Sequence, residues 1–425
     1  MNIIERALAF VNGVTETGPW TGWDWRRCPH CGSTLTKKNG SYRARPYTLD
    51  GRVEIRVQRH WCEACGKSYS ERLPWRVRRS WYAREVHRMA VDCWQHGGMS
   101  LRRSAELVRS LVGKQERWLM WLRFRRVAEP REACYLSQST VQRWLDNAGV
   151  EAEASVAGQL AGVRSSWQVA TDGLWARLLA GQKRVVLALV DTVTGVIHPP
   201  VVVRGEESGQ DWGRMFARAK LSGLDLDQVR GVTSDGAGAL TGYLSRQLSW
   251  VNHQRCHFHL RRNLQGALAA AVQAATRLLG KEVGSAARVE LSALVRGVME
   301  AESFAEAEVA LGRLAAHQFG DRLKELMREH LDAATVYLSE YNRGLARVSP
   351  EWYWRDFRLR LSRGRNHRSA RRLERAALVW AIYRNFEPAQ RRSERKRQYR
   401  HPGMSPLATA GAPPGEISYL DALAV

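Results

Sequence analysis

Long apolar runs are missing from this chain. No stretch approaches the ~18 consecutive apolar residues of a membrane-spanning helix. MNIIERALAFVNG, with which it opens, has neither the basic flank nor the apolar centre of a secretory leader. No amphipathic basic anchor stands out either, so a cytosolic protein is expected. Acidic side chains are outnumbered, 42 against 66 basic ones, for a net charge of +24. Arginine supplies most of the excess, and its planar guanidinium suits phosphate. A polyanionic partner follows, nucleic acid above all. Internal repeats are absent, which excludes a repeat array. A composition of 44% hydrophobic and 25% charged residues excludes a disordered chain.

Cysteines number seven, and in a cytosolic chain they read as metal ligands or free thiols, not disulfides. Four form two C-x-x-C knuckles, Cys28-Pro-His-Cys31 and Cys62-Glu-Ala-Cys65. Four thiolates suit one structural Zn²⁺. Tyr47, Leu49, Val53, Ile55 and Val57 alternate between the knuckles as strands do, and Gly32 and Gly66 follow them. Residues 27–72 therefore read as a zinc ribbon, after a lead-in, 1–26, with Trp20, Trp23 and Trp25. His30 and His60 are spare.

Residues 78–150 read as a helix-turn-helix domain. One helix is expected from Trp81 to Gly97, a second from Ser100, and a third from Ser137 to Asn147, after an arginine- and tryptophan-rich insert at 111–134. In the third, Val141, Trp144 and Leu145 turn inward, leaving Gln138, Gln142 and Arg143 exposed. Gln and Arg are the side chains that read adenine and guanine edges in the major groove.

From Trp167 the pattern becomes that of a sheet. Gln168–Asp172, Arg184–Asp191 and Val196–Val203 form a meander, Gly209–Leu221 a helix, Val229–Asp235 a strand, Ala237–Gln247 a helix and Val251–Phe258 a fifth strand. Asp172 and Asp235 each end a strand-like run and precede glycine. With this order between them, an RNase H-like α/β domain with a mixed five-stranded sheet would bring the two carboxylates side by side. There they could share two divalent cations, Mg²⁺ or Mn²⁺. Asp191 reads as a turn residue. Residues 266–345 are Ala- and Leu-rich and helical. The basic run 391–400 opens a tail, 391–425, which is expected to be extended and poorly packed over 401–425.

ATDGLW, EESGQDW, VTSDGAGAL and HQRCHFHLRRNL stand in the order of the Mutator-like DDE transposases, the superfamily of many bacterial insertion sequences, and residues 165–385 resemble that family. The amino-terminal knuckles and helix-turn-helix are similar to those that open many bacterial transposases. The resemblance implies a catalytic domain in two parts, 164–265 and 346–390, interrupted by an all-α insertion at 266–345. It implies a third carboxylate after the insertion, for which Glu374 in Leu373-Glu374-Arg375 is chosen, with Glu351 as rival. Arg371 departs from the family's asparagine. Cys256 and His259 match the family's C-x-x-H and are expected to be structural beside the metals. Trp212 could stack on an unpaired base or fill the core.

The expected protein is multidomain: zinc ribbon, helix-turn-helix, then an interrupted RNase H-like domain. It would bind terminal inverted repeats and target DNA, act at least as a dimer, and cut and join DNA with two Mg²⁺ or Mn²⁺ at Asp172, Asp235 and Glu374. Alternatives are a non-catalytic regulator of transposase descent, and a nuclease without strand transfer.

Overall fold

The structure, a computed structural model, describes residues 26–49, 51–71, 73, 75–77, 80–95, 98–112, 136–349, 351–363, 367–388, 403–412 and 418–423. Within 351–363 the side chains of residues 351–353 and 361–363 lie outside that description. So do the tryptophans of the lead-in, the insert at 113–134 and the basic run 391–400. The chain forms two compact units, residues 1–144 and 145–424.

The first unit begins with strands. β1 (Thr36–Ala44), β4 (Ile55–Cys62) and β5 (Ser68–Ser70) make an antiparallel sheet in the order β1-β4-β5, and β2 (Tyr47–Thr48) pairs with β3 (Gly51–Arg52). Gly32 and Gly66, with φ of 73° and 63°, turn the chain after each knuckle in the left-handed region that favours glycine. Helix α1 (Arg84–Gln95) buries Val86, Ala90, Val91 and Trp94, the stripe its period requires. Helix α2 (Leu101–Leu111) is capped by Ser100, whose hydroxyl accepts from the Arg103 N–H at 3.2 Å. Helix α3 (Gln138–Leu160) opens at Ser137, which accepts from the Thr140 N–H at 3.2 Å. It runs well beyond the expected end at Asn147. Trp144 stacks on His87 with ring centres 3.8 Å apart and meets Tyr82 edge-on.

In the second unit a five-stranded sheet has the order β10-β9-β6-β7-β8. Its strands are β6 (Gln168–Arg177), β7 (Lys183–Asp191), β8 (Val201–Arg204), β9 (Gly231–Ser234) and β10 (Asn252–Arg255). β6, β7 and β8 form an antiparallel meander. β9 and β10 run parallel to β6, so each is reached through a helix. These helices are α4 (Gly209–Leu221), opened by a Ser208–Asp211 capping box, and α5 (Gly238–Gln247). Period-two alternation divides the apolar residues between the faces. Val169, Val185 and Leu187 pack with Trp212, Phe216 and Leu244 on one; Leu174, Val186 and Ala188 pack with Trp354, Phe357 and Trp380 on the other. Asp172 does not end β6 as the sequence implied. It lies mid-strand, because β6 stays paired with β7 as far as Arg177.

After β10 come four helices, α6 (His257–Leu279), α7 (Lys281–Glu300), α8 (Phe304–Ala316) and α9 (Asp321–Ala334). They have a core of their own, with Leu264, Leu291, Leu311 and Met327. Helices α10 (Glu351–Arg363) and α11 (Ala370–Phe386) return to the sheet. The tail was expected to be poorly packed. Its described parts instead hold α12 (Pro406–Thr409) and α13 (Tyr419–Ala422), with Leu407 and Leu423 buried and Tyr419 edge-on against Tyr383. Apolar Leu407, Leu423 and Tyr419 override the proline signal. Among the described residues no helix is long and apolar enough to cross a membrane.

Burial holds three histidines neutral: it lowers His87 to about 3, with Arg84 adding to it, and His198 and His367 to about 4. Arg372 adds to the lowering of His367, and Asp191 opposes that of His198. Unfolding returns each to about 6.5, so below that pH the unfolded chain binds more protons than the folded one. Stability should therefore fall as pH drops from about 6.5 towards 4. Denaturant unfolding at pH 7 and pH 5 checks this, with a lower midpoint expected at pH 5. Equal midpoints, or imidazole resonances showing charged rings in the folded protein at pH 5, would contradict it.

Candidate active site and metal centre

The two knuckles of the first unit bring Cys28, Cys31, Cys62 and Cys65 together, all four sulfurs within 4.8 Å of one another. Cys28 Sγ lies 3.7 Å from Cys65 Sγ, and Cys31 Sγ 3.6 Å from Cys62 Sγ. A tetrahedron of Zn–S bonds of about 2.3 Å has an edge of about 3.8 Å, so the donor set and its spacing fit a structural Zn²⁺. Burial alone would raise the Cys28 thiol. The N–H groups of His30 and Cys31 and the neighbouring thiols outweigh it and bring Cys28 down to about 7, while the same crowding of thiols pushes Cys31 up to about 12 and raises Cys65; without a cation the four cannot all be thiolates. His60 stacks on Tyr69 instead of joining the cluster.

In the second unit, β6 and β9 are paired from Gln168 with Gly231 to Ala170 with Thr233. Asp172 lies two residues beyond Ala170 within β6, and Asp235 two residues beyond Thr233, just past the end of β9. Asp172, 6% exposed, accepts from the Gly173 N–H at 2.8 Å. Asp235 accepts from the Ala237 N–H at 3.0 Å, which fixes the turn into α5. His259, in the first turn of α6, places Nε2 3.9 Å from Asp172 Oδ2. Cys256, before that helix, receives the Ser349 N–H and hydroxyl at 3.2 and 3.3 Å. Burial raises the Cys256 thiol, but hydrogen bonds with His259 and Ser349 leave it lowered overall. The C-x-x-H pair thus bonds the segment before α10 through Cys256 and sets His259 beside Asp172.

Glu374 is not brought to them. Its Oε2 accepts from the Val202 N–H at 3.0 Å and its Oε1 is paired with Arg218. Val202 is on β8, the edge strand, two strands from β6 and hence about 10 Å away across the sheet. Glu351 opens α10, whose Trp354 and Phe357 pack with Leu174 of β6; its own side chain lies outside the described residues. Trp212 is 1% exposed, in the core with Met215 and Phe216. Its ring is closed to a base, and the core reading of this residue is the one found. Gln138 and Arg143 are exposed and Gln142 is partly buried, while Val141, Trp144 and Leu145 are buried, as the helical period required. Asp191 accepts from the N–H groups of Ser166, Val193 and Thr194, as a turn residue does.

Two residues near the aspartates were given no role by the sequence reading. Glu207 leads into α4, and its Oε2 is buried without a hydrogen-bond partner. That oxygen lies 3.5 Å from where a Cβ at Gly173 would stand, which places it beside Asp172's neighbour; the space at Gly173 is limited instead by Val185 Cγ1, at 2.9 Å. Burial and the nearby Asp235 carboxylate push Glu207 up to about 7. Its signal was present in EESGQDW, quoted as a motif with no role given to this acid. Arg255, at the end of β10, lies over Gly236; an arginine in an arginine-rich chain gives no signal by itself.

Replacing Cys62 with Ser should remove one of four ligands and release zinc. A structural site of this kind contributes ~10–16 kcal/mol of apparent binding free energy, so the ribbon should unfold. Elemental analysis should find one zinc per chain in the parent protein and none in the variant. Full zinc content in the variant, or none in parent protein purified without chelator, would contradict the assignment.

No curated protein matches this chain. Residues 200–336 match the model of a family described as Transposase, Mutator family. The match takes in Asp235, Cys256, His259 and most of the helical segment, and on it the chain carries a Mutator-like transposase region.

Proposed function

We propose that this chain is a DNA transposase whose second unit is an RNase H-like strand-cutting domain. The observation that carries the reading is the parallel pairing of β6 and β9, within a β10-β9-β6-β7-β8 sheet, two residues before Asp172 in β6 and before Asp235 just past β9. The family match supports it. Hard carboxylate oxygens at the rim of such a sheet suit Mg²⁺ or Mn²⁺, two per site. When bound, the metals supply Lewis acidity to the scissile phosphodiester. The protein's part is to orient carboxylates: backbone N–H groups fix Asp172 and Asp235, and His259 stands beside Asp172. Water is the first attacking group and a freed 3′-hydroxyl the second, so no Ser or Tyr nucleophile is assigned.

Glu351 fits the third carboxylate better than Glu374. The chain before it is laced to the site: Gln168 bonds Gly344 and Ala346, Thr233 donates to the Ala346 carbonyl, and Ser349 reaches Cys256. Trp354, three residues on in α10, packs with Leu174 of β6. Glu374 instead has both oxygens engaged at the far sheet edge.

Helices α1 to α3 would act as the helix-turn-helix domain, reading terminal inverted repeats through Gln138, Gln142 and Arg143, with the zinc ribbon beside them. Two element ends must be joined, so at least a dimer is the acting form. Replacing Arg143 with Ala should cost about 1–3 kcal/mol and relax preference at one base position. A uniform loss across all sequences would make it a phosphate contact.

Catalysis is tested on DNA carrying the element's own ends. Asp172→Asn and Asp235→Asn should lose cleavage by orders of magnitude with end binding near that of the parent. Glu351→Gln should behave like them, and Glu374→Gln should still cut. The reverse result for the two glutamates returns the third acid to Glu374. Full cleavage by both aspartate variants would overturn the reading. A parent protein that binds paired ends but never cuts in Mg²⁺ or Mn²⁺ would be the regulator, and one that cuts but cannot join pre-cleaved ends the nuclease.

A further inference from the structure

Arg255 closes β10 in register with Ser234, the residue before Asp235. Its guanidinium lies directly on the turn that follows. A Cβ at Gly236 would collide with Nη1, and would stand 3.1 Å from Cζ and 3.6 Å from Nε. Gly236 has φ of 80°, so this position needs glycine for the turn and also for the space the arginine fills. Nε is buried with no hydrogen-bond partner. Among the described residues no carboxylate lies within ion-pairing distance of Arg255, although other arginines of this unit have such partners: Arg218 with Glu374, Arg375 with Glu153, Arg384 with Glu387.

A partly buried cation with no counter-ion is unfavourable unless an anion arrives. Asp235 is the nearest acid along the chain, but its charge is committed if it holds a metal ion. The planar fork of arginine matches the paired non-bridging oxygens of a phosphodiester. We infer that Arg255, held over Gly236 beside Asp235, binds a backbone phosphate of the DNA strand at the cutting site. This rests on the strand-cutting reading above and adds a substrate-binding residue to it. The arginine would fix one phosphate while the carboxylates address the linkage to be broken, which restrains the strand against rotation in the site.

The test uses the full chain and a duplex taken from the end of the element, in parent, Arg255→Lys and Arg255→Met forms, with Asp235→Asn as control. Arg255→Met should cut about 10- to 100-fold more slowly, the range expected for losing a charge-assisted contact. The slope of log affinity against log salt should flatten by about one contact. Arg255→Lys, which keeps the charge, should retain the slope and recover part of the rate. Thermal midpoint and Mn²⁺ affinity, read by calorimetry without DNA, should stay at parent values. A neutral methylphosphonate placed in turn at linkages around the cut should slow the parent at one position and leave Arg255→Met no slower there. Parent-like cutting and salt slope in Arg255→Met would overturn the inference. So would a loss of Mn²⁺ affinity or stability that accounts for the rate. If Arg255→Met does not fold, Arg255→Lys decides: no methylphosphonate-sensitive linkage in either it or the parent overturns the assignment. Full cutting by Asp235→Asn, matched by Asp172→Asn, would instead remove the strand-cutting reading itself.

Discussion

Three register pairs, Gln168 with Gly231 through Ala170 with Thr233, bring β6 and β9 side by side two residues before Asp172 and Asp235. This parallel pairing constrains much else. A parallel neighbour cannot be reached by a tight turn, so α4 crosses the sheet before β9 and buries Trp212, Met215 and Phe216 on the way. The same pairing stops at Thr233, one residue before β9 ends, while β6 continues to Arg177, which leaves one side of β6 without a paired strand beyond Ala170. Asp235, Glu207 and His259 gather at that rim. A one-residue slip would turn Asp172 to the opposite face of the sheet.

Electrostatics gives the rim its chemical character. The chain carries +24 overall, yet carboxylates collect here, one of them pushed up to about 7 by burial and by Asp235. On the proposed reading, acids gathered in a basic protein would attract a cation to a place where the wider field attracts nucleic acid. The sulfur cluster of the first unit is of the opposite kind. Its four donors close a tetrahedron and leave no position for a substrate, as a structural site requires.

Much of this was legible in the residues. The C-x-x-C pairs and their following glycines predicted the cysteine cluster, because ligand spacing and left-handed turns are local properties. The order of strands and helices from Gln168 to Arg255 was readable from period and β-branching, and α4 falls on its expected bounds, Gly209–Leu221. What local pattern did not give was non-local pairing. Asp172 seemed to end its strand because polar Asp and Gly follow an apolar run, yet pairing with β7 carries β6 onward to Arg177. Glu374 sits in a motif-like string, but Arg218 and the Val202 N–H claim its carboxylate at the other edge of the sheet. No pattern along the chain reveals an ion pair between residues so far apart in sequence. The tail was judged by its prolines, although Leu407 and Leu423 find apolar partners.

The central claim is that divalent cations bind at the rim where β6 and β9 separate. Localised hydroxyl-radical cleavage tests it most directly. Fe²⁺ put in place of Mg²⁺, with ascorbate and peroxide, cuts the polypeptide near the bound ion. The account predicts cuts beside Asp172, Asp235 and the start of α10, suppressed by excess Mg²⁺ and absent in Asp172→Asn. Cuts clustered around Val202, Arg218 and Glu374, or none that Mg²⁺ suppresses, would contradict it.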